Sequence, residues 1–370
     1  MKLLITGASG FIGKNLTVRL RELGYADLMA YDKDSTYEEL LQYARECDFV
    51  FHLAGVNRPP DDAGFVENET FTVILIKALQ QSGNHAPVLY ASSAQAALDN
   101  PYGRSKRAAE DLLFAYSHEL NVPVFIYRLP GIFGKWCRPN YNSVVATFCD
   151  AAVHGRPLCI NDEHAELTLA HVDDVTDEMI AALNGNANQN GKFCEVGHTF
   201  TTTVGKLAEC ITAFRTGRSH CVVPDMADEL TAKLYSTYIS YLSENDFSYP
   251  LSVHQDSRGL FAEFLKSGHG GQVSINICKP GITKGNHYHH VKIEKILIVS
   301  GKGVLHFQQI GGGPVLDYPV SAERPTVVEI PPGYIHSVEN TGTSDMAMVI
   351  WSSQVFDPVH PDTYPALIQR

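Results

Sequence analysis

Tyr102 and Lys106 are the residues of the first half of the chain whose types and spacing best suit acid–base catalysis. They stand four positions apart in a segment with helical composition, so both side chains lie on one helix face. A lysine cation in that position stabilises a tyrosinate, which lets Tyr102 donate or accept a proton at neutral pH. About ten residues upstream, Ser92 and Ser93 offer hydroxyls that can polarise a carbonyl. A surface helix pair is the alternative interpretation of the Tyr and Lys alone.

Three glycines follow the first apolar run, in the segment Gly7-Ala-Ser-Gly10-Phe-Ile-Gly13. Glycines between a strand and a helix permit a tight turn and bring the backbone close to a pyrophosphate, which the helix N-terminus attracts. The spacing departs from GxGxxG, and packing of the turn is the alternative. Asp32 ends the second predicted strand, about 20 residues on, where a carboxylate binds the hydroxyls of an adenosine ribose. Together these residues predict a dinucleotide site.

The charges near this site leave NADH and NADPH both open. Asp32 repels a 2′-phosphate and favours NAD. Lys33 beside it attracts that phosphate, and Arg58 is a further basic candidate.

In the second half, four residues have the types and spacing of metal ligands: His287, His289, Glu294 and His336. Side chains at i and i+2 of a strand point the same way, so the first two histidines converge. The glutamate and the third histidine come from neighbouring strands and leave room for water or substrate. Such a set predicts one divalent metal, with zinc expected first and iron, manganese and nickel left open.

Two kinds of secondary-structure pattern must position these residues. Residues 1 to about 185 alternate strands and helices, which predicts the doubly wound parallel sheet of a Rossmann domain. From Phe247 to Trp351 short β-rich segments are separated by glycine and proline, which predicts an all-β sandwich or barrel. We place the domains at 1–243 and 246–370. The predicted strands include 3–5, 27–31, 49–53, 88–90, 124–127, 273–277, 295–299, 304–307 and 327–330, and the predicted helices are 12–23, 66–80 and 102–120.

Composition excludes several classes of protein. A formal net charge of -12 argues against nucleic-acid binding, which needs a basic face. The eight cysteines have irregular spacing and form no CxxC pair, as is typical of reduced thiols in a cytoplasm. No apolar run approaches the roughly 18 residues of a membrane span. We therefore expect a cytoplasmic protein without nucleic-acid or membrane partners.

The motifs of the first half together resemble the extended short-chain dehydrogenase/reductase family over roughly residues 1–240. They are MKLLITGASGFIGKNL, HLAG at 52–55, YASS at 90–93 and PYGRSK at 101–106. The resemblance implies Tyr102 as general acid, Lys106 as its partner and ribose ligand, and Ser93 as the carbonyl-binding hydroxyl. Ser92 is the alternative, because the two adjacent serines leave the register open by one residue. The Ser-to-Tyr spacing is shorter than is usual in the family, which predicts a trimmed substrate pocket. The cofactor residues implied are Gly7, Gly10, Phe11, Ile12, Gly13, Asp32, Lys33, Leu53, Ala54 and Lys106.

The motifs of the second half resemble those of the cupins. Residues 281–301 match the first cupin motif and residues 331–340 the second, with Pro325 in place of the usual upstream glycine. Residues 256–263, DSRGLFAE, resemble the DxRGxFxE segment of cupins that epimerise nucleotide 4-keto-6-deoxysugars. The resemblance makes Arg258 a contact for diphosphate or uridine, since a guanidinium binds phosphate oxygens bidentately. A solvated polar turn is the alternative.

The chain as a whole resembles the bifunctional enzymes of capsular and O-antigen polysaccharide synthesis in which a reductase is fused to a cupin. The segments that carry this resemblance are 52–59, 133–149, 166–175, 235–242, 246–251 and 279–290. It implies a UDP-2-acetamido-2,6-dideoxy-4-hexulose substrate, C3 epimerisation by the cupin, and NADPH-dependent C4 reduction to UDP-2-acetamido-2,6-dideoxy-L-talose by a homodimer. The substrate residues implied are Asn142, His171, Arg258 and His290.

This chemistry is coherent in its own terms. A hydrogen next to a ketone is acidic enough for removal if the enolate oxygen is stabilised, and a metal cation can supply that stabilisation. The base is left open among Tyr288, His290 and Lys295. Two alternatives remain: a cupin that serves only binding or dimerisation, and an iron-dependent cupin oxygenase coupled to a dehydrogenase.

Overall fold

A computed structural model describes residues 1–369 of the chain. It divides into two compact units, one formed by residues 1–212 and 233–241, the other by residues 213–232 and 242 onward. The predicted domain bounds, 1–243 and 246–370, stay a prediction. The segment 213–232 is where the two divisions differ most.

The first unit is built on a mainly parallel sheet. Its strands in chain order are β1 (Lys2–Thr6), β2 (Asp27–Tyr31), β3 (Phe49–His52), β4 (Val88–Ser93), β5 (Val124–Leu129), β6 (Gly131–Phe133), β7 (Glu166–His171), β8 (Gln189–Asn190), β9 (Phe193–Cys194) and β10 (Phe200–Thr203). Seven of them form one sheet in the order β2-β1-β3-β4-β5-β9-β8, parallel except for β8. A smaller sheet has the order β10-β7-β6.

Helices cover both faces of the large sheet. In chain order the helices are α1 (Phe11–Glu22), α2 (Tyr37–Glu46), α3 (Val66–Ser82), α4 (Pro101–Leu120), α5 (Val144–Val153), α6 (Val172–Leu183), α7 (Val204–Ser219) and α8 (Glu229–Ile239). Side chains alternate along a strand, so Leu3 and Ile5 pack with α1 and α6 while Leu4 packs with α2, α3 and α4. This two-sided burial is the predicted doubly wound Rossmann architecture, which is confirmed.

Apart from the end of α7 and the start of α8, which fall in its segment 213–232, the second unit is built of strands. Its strands in chain order are β11 (Val222–Val223), β12 (Val253–Asp256), β13 (Gly259–Ser267), β14 (Gly271–Cys278), β15 (Thr283–Tyr288), β16 (Glu294–Ser300), β17 (Lys302–Gln309), β18 (Leu316–Ser321), β19 (Val327–Ile330), β20 (Tyr334–Asn340), β21 (Met346–Ser352) and β22 (Tyr364–Pro365). One sheet has the order β11-β13-β14-β21-β16-β19, with β12 on β13, and the other has the order β18-β17-β20-β15-β22. Between Val253 and the last described residue the chain contains no helix.

The two sheets of this unit share one apolar core. Ile296 and Met348 reach it from the first sheet, and Leu305 and Val338 from the second. Alternation along the strands directs these residues inward, as in the predicted sandwich or barrel. The all-β prediction for the second half is therefore confirmed.

The edge strand β11 comes from the segment that precedes α8. It pairs in parallel with β13, and the N–H of Lys266 donates to the carbonyl of Cys221 at 2.7 Å. In the first unit, Lys233 of α8 donates to Asp174 at 2.6 Å.

The described residues contain no helix long and apolar enough to cross a membrane.

Candidate functional site

The glycine-rich segment forms the turn from β1 into α1. Gly7 has a φ of +72°, in the left-handed region, and a Cβ there would lie 2.8 Å from the backbone nitrogen of Ala54. A Cβ on Gly13 would lie 2.8 Å from the Cα of Ala8. Gly10 is the N-cap of α1 and provides no capping side chain, so the first amides of the helix are accessible to an anion. The turn fits a pyrophosphate.

Asp32 lies beside this turn at the carboxyl end of β2. Its carboxylate accepts hydrogen bonds from the N–H of Ser9 at 3.1 Å and from the Ser9 hydroxyl at 2.9 Å. Leu53 and Ala54 reach the same turn from the end of β3, where the N–H of Leu53 donates to the Thr6 carbonyl at 3.1 Å. Lys33 and Arg58 are exposed. Phe11 and Ile12 begin α1 and are half-buried, so the structure brings most of the predicted cofactor residues together.

A buried hydrogen-bond chain fixes the segment after β3. The Thr72 hydroxyl donates to the Asn68 carbonyl at 2.8 Å, so it accepts from Nε2–H of His52 at 3.0 Å. Nδ1 of His52 therefore accepts from the Thr6 hydroxyl at 2.9 Å, whose oxygen accepts the N–H of Ala54 at 3.3 Å. Burial lowers the pKa of His52 to about 3, which keeps the ring in this neutral tautomer.

Asn68 continues this series of hydrogen bonds to α4, the helix that carries Tyr102 and Lys106. Its amide group donates to the Val56 carbonyl and to the Ser105 hydroxyl, both at 3.0 Å, and its oxygen accepts the N–H of Val56 at 2.8 Å. Sequence reasoning found neither His52 nor Asn68 as a site residue. Two signals were available in the sequence. His52 is a polar residue within the apolar strand 49–53, and Asn68 is a polar residue on the helix that follows.

Tyr102 and Lys106 occupy the first turns of α4, where Tyr102 is half-buried and Lys106 is buried. Burial raises the pKa of Tyr102 to about 12, against the lowering effect of a hydrogen bond with Ser93. The Lys106 ammonium donates to the Ala91 carbonyl at 3.0 Å and lies 4.8 Å from the centre of the Tyr90 ring. Burial lowers the pKa of Lys106 to about 8. At neutral pH the tyrosine is therefore a protonated phenol, the form that a proton donor requires, and the lysine one helix turn further on is a cation.

The structure distinguishes the two serines that end β4. Ser92 is buried and its hydroxyl donates to Glu110 at 2.5 Å, whereas Ser93 is the one that interacts with Tyr102. Glu110 lies one turn beyond Lys106 and forms a two-point ion pair with Arg128, at 3.0 and 2.6 Å. Its negative charge raises the pKa of Lys106, against the effect of burial. This glutamate was not among the predicted site residues.

Two predicted substrate residues of the first unit differ in their surroundings. His171 is buried at the N-cap of α6, where Nδ1 accepts the N–H of Asp173 at 3.3 Å and the ring packs edge-on against Phe133. Burial lowers its pKa, so it is a neutral capping residue at physiological pH. Asn142 is exposed in the segment before α5. Substrate contact by either residue stays a prediction.

The predicted metal ligands of the second unit come together. These are His287, His289, Glu294 and His336. Each offers one ligand atom, and the four ligand atoms all lie within 4.8 Å of one another. His287 and His336 face each other across the pairing of β15 with β20, with ring centres 4.4 Å apart. The pairing is irregular between Gly285 and His287. A Cβ on Gly285 would lie 2.9 Å from the His336 carbonyl, so the close approach of these strands requires glycine.

The protonation of these residues fits a metal. Nδ1 of His289 lies 2.7 Å from the carbonyl of Asp362, which can only accept, so Nδ1 carries the proton and Nε2 presents a lone pair. That Nε2 is buried and has no hydrogen-bond partner among the described residues, although it lies 3.6 Å from Glu294. Burial, together with the neighbouring histidines, lowers the pKa of His287 to about 4. Neutral imidazoles and a carboxylate are the donors that zinc and similar metals bind.

The structure distinguishes the three residues that the sequence left open as the base, Tyr288, His290 and Lys295. Lys295 follows Glu294 on β16, so its side chain leaves the opposite face of the sheet, where it pairs with Glu329 at 2.9 Å. Tyr288 stacks on Tyr364, and the exposed His290 contacts the same ring.

Arg258 is held in its own turn on an exposed surface. Its guanidinium donates to Asp256 at 2.7 and 3.0 Å. Contact of Arg258 and His290 with a substrate stays a prediction.

Comparisons with known proteins agree with this picture. Residues 3–197 match the NAD dependent epimerase/dehydratase family, and residues 254–364 match the Polysaccharide biosynthesis C-terminal domain. The UDP-2-acetamido-2,6-beta-L-arabino-hexul-4-ose reductase of Pseudomonas aeruginosa is 42% identical, covering 98% of both chains. The crystal structure of the capsular polysaccharide assembling protein CapF from Staphylococcus aureus has a TM-score of 0.92 and 42% identity, covering 100% of both chains.

This chain belongs to the NAD dependent epimerase/dehydratase family. The resemblance inferred from its motifs, a short-chain dehydrogenase/reductase fused to a cupin as in capsular polysaccharide synthesis, is confirmed. The human dTDP-D-glucose 4,6-dehydratase is also similar, with 24% identity over 68% of this chain and 82% of that protein. A nicotinamide cofactor follows from the family.

Replacing Glu110 should alter the titration of Lys106. Glu110→Gln removes the charge that raises the pKa of Lys106, so this pKa should fall below its present value of about 8. The ammonium would then be lost at a lower pH, and the alkaline limb of NAD(P)H binding should move to lower pH. Loss of the buried ion pair with Arg128 should also cost about 2 kcal/mol of unfolding free energy. Fluorescence titration of NADPH from pH 6 to 10 measures the first effect and chemical denaturation the second. Glu119→Gln, at an exposed position of the same helix, is the matched control, and an unmoved alkaline limb would contradict the role of Glu110.

Cofactor choice can be tested at Lys33. If NADPH is the cofactor, Lys33→Ala removes a contact to the 2′-phosphate and should raise the KM for NADPH several-fold more than the KM for NADH. Steady-state kinetics with both cofactors measure this difference. Lys77→Ala, at an exposed position of α3, is the control. An equal effect on both cofactors would remove Lys33 from the phosphate site and make Arg58 the next candidate.

Proposed function

We propose that this chain is a bifunctional nucleotide-sugar enzyme. It epimerises C3 of a UDP-2-acetamido-2,6-dideoxy-4-hexulose and reduces the C4 ketone with NADPH, giving UDP-2-acetamido-2,6-dideoxy-L-talose. The observation that supports this most strongly is the presence of two separate sites in one chain. The Ser93, Tyr102 and Lys106 group lies in a dinucleotide-binding unit, and the three-histidine, one-glutamate cluster lies in an all-β unit. Full-length similarity to a reductase of a UDP-hexulose supports the substrate class.

Reduction is assigned to the first unit. A nicotinamide cofactor, when bound, would supply the hydride that C4 accepts. The Ser93 hydroxyl donates a hydrogen bond to the ketone oxygen, and the Tyr102 hydroxyl gives its proton to that oxygen as the C–H bond forms. Because burial raises the pKa of Tyr102 to about 12, the phenol is protonated at neutral pH and is available as the acid. Lys106, as a cation, binds the ribose and stabilises the tyrosinate that remains.

Epimerisation is assigned to the second unit. His287, His289, Glu294 and His336 would hold one divalent metal, for which we propose zinc. When bound, the metal would supply positive charge next to the ketone oxygen of the substrate, where negative charge develops. A base of the chain removes the C3 proton from one face of the sugar, and reprotonation from the other face inverts the centre. Tyr288 and His290 lie next to the ligands and are the candidates for this proton transfer.

The order of the two reactions follows from their chemistry. The C3 hydrogen is acidic only while C4 is a ketone, because the enolate places its charge on that oxygen. After reduction the second unit has no acidic hydrogen to remove. Epimerisation therefore precedes reduction.

Tyr102→Phe separates the two activities. The substitution removes the proton donor, so C4 reduction should fall by at least about 100-fold, while deuterium exchange at C3 continues. Both are read from NMR spectra of product formed in deuterated water with NADPH. Tyr37→Phe, at an exposed tyrosine of α2, should change neither. Loss of both activities in a folded Tyr102→Phe protein would contradict independent sites.

Metal removal gives the complementary test. Chelation, or the double substitution His289→Ala with His336→Ala, should abolish deuterium uptake at C3. Reduction of a ketone already epimerised at C3 should continue, because the predicted reductase site contains none of the four ligands. The products of metal-free protein from each C3 epimer are compared by NMR, with His269→Ala, an exposed histidine of the second unit, as control. Undiminished C3 inversion without metal would refute the metal's role. Reduction without any C3 exchange in the metal-loaded protein would favour a cupin that serves only binding.

A further inference from the structure

The last part of the chain returns to the metal-ligand cluster. Residues 362–369, here called the C-terminal strap, include β22, which pairs antiparallel with β15 at His287 and Tyr288. The N–H of Ala366 donates to the Asn286 carbonyl at 2.9 Å, and the Tyr364 ring stacks on Tyr288 with a centre-to-centre distance of 5.3 Å. The strap therefore lies along the strand that carries the first ligand.

The first residue of the strap, Asp362, contacts the cluster in two ways. Its main-chain carbonyl accepts the Nδ1–H of His289 at 2.7 Å. Its carboxylate accepts three consecutive backbone N–H groups at 3.0, 2.9 and 2.7 Å, those of His290, Val291 and Lys292. These three residues form the turn between His289 and Glu294. One aspartate thus holds both the ring of one ligand and the turn that leads to the next.

The strap is also connected to the ligands through Lys292, and its first residue has an unusual backbone conformation. The Lys292 ammonium donates to the Thr363 hydroxyl at 2.9 Å and lies 3.7 Å from the Glu294 carboxylate. Asp362 itself has a φ of +36°, in the left-handed region that aspartate and asparagine tolerate better than other L residues. Charge-assisted hydrogen bonds to three amides offset the cost of this conformation.

We propose that Asp362 is a positioning residue of the metal site, and that the C-terminal strap sets the metal affinity of the second unit. The carbonyl of Asp362 fixes His289 in the Nδ1–H tautomer, and the Asp362 carboxylate holds that carbonyl in place through the 290–292 turn. Nε2 of His289 is thereby directed at the other ligands before any metal binds. This inference rests on the metal site of the proposed function. Partners of this kind around a metal site orient its ligands and raise their basicity.

The same part of the chain contains a matched control. Asp357 is exposed and its carboxylate accepts the N–H of Val359 at 2.8 Å, which is again an aspartate capping a local turn. It also lies 3.2 Å from Nδ1 of His360. Both of these partners are local, and neither is one of the four ligands. Asp357 therefore separates a general effect of loosening the segment from a specific effect on the site.

The test measures zinc affinity of the full-length protein after removal of metal, by competition with a chromophoric chelator. Asp362→Ala should weaken zinc binding about 10- to 100-fold. Asp362→Asn keeps an acceptor and tolerates the backbone conformation, so its loss should be smaller. Asp357→Ala should stay within about twofold of the unmodified protein. Thermal melting of the metal-free proteins checks that each variant folds. If Asp362→Ala does not fold, the zinc affinity of Asp362→Asn is used as the test.

A second measurement requires no metal. Nitrogen-15 NMR of the metal-free protein, with the His289 signals assigned through His289→Ala, should show the Nδ1–H tautomer with slow hydrogen exchange. Asp362→Ala should give a mixture of tautomers and fast exchange. Zinc affinity and tautomer both unchanged in the Asp362 variants would overturn the inference and leave the metal site intact. No zinc binding by the unmodified protein would refute the metal site, and with it the role of the strap.

Discussion

Burial of the Lys106 ammonium is the constraint around which the first unit is arranged. Removing a cation from water is unfavourable, and burial lowers the pKa of Lys106 to about 8 even with the opposing effect of Glu110. The surroundings compensate through the Ala91 carbonyl, the face of the Tyr90 ring and the charge of Glu110. Glu110 is in turn neutralised by Arg128. The strand order that places β4 beside β5 makes this compensation possible, because Arg128 and Ser92 are paired in register.

The second unit meets a similar constraint with different groups. Its interior is apolar where Ile296, Leu305 and Met348 meet, and polar where the four ligands converge. A buried imidazole nitrogen without a hydrogen-bond partner is costly. Nε2 of His289 has no such partner among the described residues, which favours a metal-ligating role over a packing defect. In both units the chemistry is placed where the fold buries polar groups and must satisfy them.

The sequence was informative where chemistry depends on local spacing. The Tyr102 and Lys106 separation specifies a shared helix face, and the three glycines that follow β1 specify the predicted cofactor turn. His287 and His289 are a more instructive case, because β15 is irregular before His287 and ends at Tyr288, so regular alternation does not extend through both residues. Both residues lie after the irregularity, and their side chains lie in one cluster with Glu294 and His336.

Residues that act through long-range contacts were not predictable in the same way. Glu110 is one of many acidic residues on helices until Arg128 and Ser92 are placed beside it. The choice of Ser93 over Ser92 depends on which face of β4 meets α4. Asp362 lies about 70 residues beyond the turn that it holds, in a segment with no periodic pattern. Helix α2 was missed because only Leu40 and Ala44 are buried, although Thr36 and Glu39 form a capping box at its start.

The interleaving of the two units has a consequence for how the protein is made. Residues 213–232 belong to the second unit, yet they leave the ribosome before residues 233–241, which complete the first. The first unit therefore cannot finish folding until the edge strand β11 has been synthesised. At that point β11 is still unpaired, because its partner β13 lies about 40 residues further along the chain. Neither unit corresponds to one uninterrupted stretch of the gene. A fragment ending near residue 243 carries an unpaired β-strand edge, and a fragment beginning near residue 246 lacks the strand that pairs with Lys266 and Ser267 at the end of β13.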